Sequence, residues 1–173
     1  MKKSFADMVR SLGLMAVIVA ALLFIGARYL IMPGSAERPP AADYTSVVHD
    51  FPRAAGAPVL APTSLPSAWR ANAARLTIPT QGVTALHIGW AVPGSRYAGL
   101  DEATGSPDAL ISEVLGGAGQ KVLGTTTIGG AVWQQRTSSL GERAYTRQVG
   151  KVTVVVTGNA TDEQLRLLAG SLR

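Results

Sequence analysis

The chain has 173 residues, no cysteine and a formal net charge of +5, which excludes disulfides, thiolate zinc sites and a cysteine nucleophile. Its basic excess is not a nucleic-acid footprint. Lys2, Lys3, Arg10 and Arg28 flank or interrupt one apolar stretch, and the residues beyond Met32 hold 12 basic against 10 acidic side chains.

In chain order, residues 1–10 read as a cytoplasmic tail and residues 11–32 as a transmembrane helix. Ser11 to Ala27 is a run of 17 residues without a charge, and Leu30, Ile31 and Met32 extend it beyond Arg28. About 20 residues at roughly 1.5 Å each cross a hydrocarbon core roughly 30 Å thick. Near a helix end the stem of Arg28 can lie among acyl chains while its guanidinium reaches the headgroups, and Tyr29 suits the same interface. Lys2, Lys3 and Arg10 hold the N-terminus in the cytoplasm and send the rest outside. The rival reading is a cleaved signal peptide, since Gly34-Ser35-Ala36 offers small residues to a peptidase. A signal's apolar region usually spans about 7 to 15 residues, which favours the anchor.

Residues 33–43, rich in Pro, Gly and Ala, read as an extended linker. Residues 44–173 then form one extracytoplasmic α+β domain, a size sufficient for its own core. Tyr44 to Ala55 is expected as a short helix with Val47, Val48 and Phe51 on one side and Pro52 weakening its end. Strands are expected in "WRANAARLTI", "VTALHIGWAV", "SRYAGLDE", "KVLGTTTI", "AVWQQRT", "ERAYTRQV" and "VTVVVTG". Turns fall at Pro93-Gly94 and Gly150-Lys151. Ser106 reads as an N-cap with Pro107 opening a helix that Gly116 stops. Thr161 and Gln164 form a capping box ahead of a helix presenting Leu165, Leu168 and Leu172. The expected architecture is an antiparallel meander of about six strands with its helices packed on one face.

Catalytic chemistry is not evident. "GGAGQK", residues 116–121, follows a helix and precedes a strand, the reverse of a phosphate loop. His49 and His87 have no partner at a metal-binding or catalytic spacing, and no serine-hydrolase motif occurs. Asp101 and Glu102 are adjacent in a strand and point to opposite faces. "NAT", residues 159–161, is accounted for by a strand end and a helix cap. No cofactor or metal is expected. One binding face is a candidate: Arg143, Tyr145 and Arg147 alternate onto one side of their strand, with Arg136 on a neighbouring strand and His87 as a further member. Such a face suits an anionic or glycan-containing envelope component; the alternative is a sheet face kept soluble by arginine.

Several pieces together, "DMVRSL", "PVLAPTSLPSAWR", "LHIGWAVPGSRYAGL", "GERAYTR" and "VTVVVTGNATDEQLRLLAGSL", resemble an uncharacterised family of actinobacterial single-pass membrane proteins, the domain of unknown function 4245. The resemblance implies a membrane-anchored envelope protein and brings no activity or site residues. The expected function is a non-enzymatic binding or interaction module of the cell envelope, held in the cytoplasmic membrane and contacting an envelope protein, anion or glycan but no nucleic acid. An envelope-acting enzyme with a dispersed site, or a single-pass regulator acting through a membrane partner, are the alternatives.

Overall fold

The computed structural model describes residues 41–78, 82–117 and 120–173, all within one compact unit, Pro40–Arg173. Among these residues no helix is long and apolar enough to cross a membrane. The expected tail, span and most of the linker lie outside the described residues.

The described chain runs through α1 (Thr45–Ala55), β1 (Arg70–Thr77), β2 (Ala85–Val92), β3 (Arg96–Thr104), α2 (Pro107–Leu115), β4 (Lys121–Ile128), β5 (Ala131–Thr137), β6 (Arg143–Val149), β7 (Val152–Thr157) and α3 (Asp162–Ser171). All seven expected strand segments pair in one antiparallel sheet, ordered β1-β2-β3-β7-β6-β5-β4. It has seven strands rather than about six, and it is not one meander. After β3 the chain passes through α2 to the far edge at β4, and β7 returns to pair with β3. The sequence of β7 explains its central place: all five residues from Val152 to Val156 are buried, which requires cover on both faces of the sheet.

For the same reason the helices lie on both faces, not one. On the first face, Phe51 of α1 and Leu165 and Leu168 of α3 cover Leu86, Ile88, Trp90, Leu100, Val154 and Val156. On the second, Leu110, Ile111 and Leu115 of α2 cover Ala103, Ala144 and Val155. Each large side chain buried this way stabilises the fold by roughly 1.5–3 kcal/mol, so the first face carries most of the core. Trp133 is fully buried there, and Trp69, partly buried, packs against the same core.

Local chemistry sets the boundaries. Ser106 is extended and Pro107 opens α2, which Gly116 closes in the left-handed region at φ +82°. At α3 the Thr161 Oγ1 accepts from the Gln164 N–H at 3.2 Å while the Thr161 N–H donates to Gln164 Oε1 at 2.9 Å. In α1, Pro52 sits one turn from the end, where its missing N–H removes a single intrahelical bond.

One charged residue lies in the first-face core. Glu102 is fully buried opposite Leu86, and its two carboxyl oxygens accept from the Leu60 N–H at 3.1 and 3.2 Å. This contact ties the Pro-rich segment before β1 to the sheet. The segment is also bound to the C-terminus, where Ala61 and Arg173 exchange both backbone hydrogen bonds at 3.1 Å. Burial pushes the Glu102 carboxyl up to about 8.

Candidate functional site

A nine-residue helix cannot roof a seven-stranded sheet, so α2 leaves the second face open on either side of itself. Toward β1 and β2 lies a recess of about 200 Å³ lined by Arg75, Thr77, His87, Asp101, Glu113 and Val114 among others. A neighbouring hollow of about 230 Å³ shares Thr77, Leu110 and Glu113 with it and reaches Val83 and Thr104. Toward β4 to β7 lies a larger recess of about 350 Å³, with Thr125, Gln134, Arg136, Thr146, Gln148 and Thr153 on strands and Pro107, Asp108 and Ile111 on α2. Val132, exposed by 68%, lines this recess, and Val122, exposed by 54%, stands on the same face.

The smaller recess is floored by a built network. The β2–β3 register sets His87 directly opposite Asp101, and His87 Nδ1 lies 2.7 Å from Asp101 Oδ1. Its Nε2 lies 2.9 Å from the Tyr97 hydroxyl. Tyr97 reaches it by lying across Gly89 and Gly99, a cross-strand pair with no side chains to stand in its way. An aromatic ring over paired glycines also shields bare backbone. In the neutral imidazole, Nδ1–H donates to the carboxylate and Nε2 accepts from the phenol. The hydrogen bond to Asp101 raises the His87 pKa above 6.5, against the opposing effects of burial and of Arg75. Burial, with the Asp101 charge, pushes the Tyr97 phenol up to about 12. The network therefore favours the charged imidazole, whose Nε2–H then donates to the phenol oxygen, and keeps the phenol neutral. Asp101 and Glu102 do face opposite ways, but sequence reasoning missed that Asp101 meets His87. His49 also touches a carboxylate, Asp50 at 3.1 Å, on an exposed helix surface.

The residues expected to form one binding face are divided between the two. Arg143, Tyr145 and Arg147 share one side of β6, but that side is the first face, covered by α3. Tyr145 is fully buried and its hydroxyl donates to Asp162, which also meets Arg143 at 3.0 Å and Arg166 at 2.8 Å. Burial works to raise the Asp162 carboxyl, but those three partners outweigh it and hold its pKa below the usual value. The Arg147 guanidinium lies 4.8 Å from the Trp133 ring centre, a packed cation–π contact. Arg136 pairs with Ala144 and so falls on the opposite side, in the larger recess, while His87 floors the smaller one. Of the five, Arg136 and His87 lie on the open face, and Arg147, whose guanidinium packs on Trp133, also borders the larger recess. Among the described residues no group of three or more His, Asp or Glu side chains is placed to hold a metal ion.

A family model described as a protein of unknown function, DUF4245, matches residues 1–172. No curated protein and no solved structure matches the chain.

Proposed function

Because the chain belongs to the DUF4245 family, whose description carries no activity, we propose a function from its geometry: a membrane-anchored, extracytoplasmic binding module of the cell envelope whose ligand meets the α2 face of the sheet. The observation that carries this is the contrast between the faces. The first is covered by two helices packed on the core, whereas the second keeps polar recesses with exposed Val132 and Val122 on the same face. Concave sites with a few fixed polar groups and apolar margins are where small ligands bind. The address is read from the uncharged run Ser11–Ala27 and its basic N-terminal flank.

The experiment places a photoreactive residue at Val132 of the full chain, with a reporter behind Arg173, and irradiates living cells. A defined envelope adduct from a membrane-retained, externally active fusion supports the reading. Reporter activity confined to the cytosol, or absence of any adduct, overturns it.

One observation favours a second reading, an envelope-acting enzyme: His87 is oriented by Asp101 at 2.7 Å and holds a hydroxyl at 2.9 Å, the base-and-orienter arrangement of acid–base catalysis. It ranks lower because both imidazole nitrogens are already engaged and Tyr97, with a pKa of about 12, is a poor source of phenolate. Turnover of cell-wall or lipid material by the full chain, abolished in His87→Ala, would reverse the ranking.

A further inference from the structure

We infer that the larger recess on the α2 face is a saccharide subsite, sized for one sugar ring. This rests on the reading of that face as the ligand face and names the chemistry it takes. Its volume of about 350 Å³ falls at the lower end of the roughly 300–1,000 Å³ typical of small-ligand pockets.

Its polar groups are fixed and partly unspent. The Arg136 guanidinium is held by amide oxygens: Nε and Nη2 donate to Gln134 Oε1 at 2.9 and 2.6 Å, and Nη1 donates to Gln120 Oε1 at 3.2 Å. Among the described residues no carboxylate lies within ion-pair distance of it. A guanidinium has five N–H donors, so donors remain for a ligand. Thr153, only 2% exposed and lining the recess, has a buried hydroxyl with no hydrogen-bond partner. Native interiors seldom leave a hydroxyl unpaired, and a ligand hydroxyl would satisfy it.

The mixture of groups selects the ligand class. A phosphate would meet Arg136 favourably but also the Asp108 carboxylate at the start of α2, which lines the same recess, while Arg147, which borders it too, has its guanidinium packed on Trp133. A ring of hydroxyls both donates and accepts, so it suits a set of Arg, Asp, Gln and Thr together. Ile111 and the exposed Val132 supply apolar wall for the C–H face of a sugar.

The test titrates the isotope-labelled full chain, in lipid nanodiscs, with the methyl glycosides of glucose, galactose, mannose and N-acetylglucosamine, and separately with inorganic phosphate, following backbone amide shifts. At least one glycoside shifts the amides of Thr125, Thr146, Gln148 and Thr153, saturating near about 1 mM, the strength expected of a single small-ligand contact set. Arg136→Leu weakens this binding about tenfold or more. Thr153→Val, nearly isosteric, weakens it without lowering the thermal midpoint, which keeps the result interpretable if the arginine variant fails to fold. No glycoside response, a response to phosphate alone, or binding indifferent to both variants overturns the inference. An envelope adduct at Val132 without any glycoside response overturns the saccharide assignment and leaves the ligand face standing; neither adduct nor response overturns both.

Discussion

The Tyr97 phenol occupies the space a β-carbon on Gly89 would need: such a carbon would stand 2.6 Å from Cε2 and 2.8 Å from Cζ of the ring. Gly89 is therefore a clearance residue for the hydroxyl that reaches His87. Gly89→Ala displaces the ring, breaks the Tyr97–His87 contact and destabilises the domain by about 1–3 kcal/mol through overpacking. Tyr97→Ala made on the Gly89→Ala background removes the clash, so its added effect is much smaller than on the native background. A double-mutant cycle by chemical denaturation measures this coupling.

His87 titrates above 6.5 because Asp101 accepts from it. Tyr97 and Arg75 also face the imidazole, and Glu113 lines the recess from α2. Asp101→Asn leaves burial and Arg75, both of which lower the value. The imidazole NMR titration then moves from above 6.5 to below it. With a raised folded-state pKa, the contribution of His87 to stability is complete below its unfolded value and is lost as pH rises through the folded one. A midpoint unmoved by Asp101→Asn would contradict the network.

Glu102 gives a larger effect of the same sign. Its carboxyl is raised from 4.5 to about 8 by burial, opposed by the Leu60 N–H and Arg147. Stability from this group is fully present below about 4.5 and declines as pH rises through about 8. Glu102→Gln retains an oxygen for the Leu60 N–H and cannot ionise, so it flattens that decline and leaves the variant more stable than the native chain above pH 8 by several kcal/mol. Urea denaturation across pH 4 to 9 in both proteins checks the slope.

Tyr145 holds Asp162 at the start of α3 from inside the core. Tyr145→Phe removes a hydrogen bond to a charged group, destabilising by about 1.5–3 kcal/mol, and lets the lowered Asp162 pKa rise. Binding at the α2 face is unchanged. Thermal unfolding with carboxylate NMR reads both effects; ligand affinity lost at unchanged stability would return the Arg143–Tyr145–Arg147 side to the functional site.

What the sequence discloses about this fold is local. The boundaries of α2 follow from Ser106, Pro107 and Gly116, and the capping box at Thr161 and Gln164 forms as its spacing requires, because these signals act within one turn. Placement across the sheet is not local. "VTVVVT" is apolar on both sides of a strand, which calls for a central position and a second helical layer, yet no neighbouring residue says which strand it joins. The His87–Asp101 pair was legible in the hairpin: a three-residue connection at Pro93-Gly94-Ser95 pairs Val92 with Arg96, and counting back sets 87 opposite 101. Arg136 shows the converse. Its pairing with Ala144 rather than Tyr145 is a one-residue difference, and one residue changes the face.

The ligand face is tested most directly by comparing the two faces in one assay. Photoreactive residues are placed at Val132 on the α2 face, 68% exposed, and at Leu167 on α3, 42% exposed, in the full chain in living cells. An envelope adduct from Val132, lost when Gln148→Trp fills the adjoining recess and absent from Leu167, is the result this account predicts. Adducts from Leu167 alone, or from Val132 with the filled recess making no difference, would contradict it.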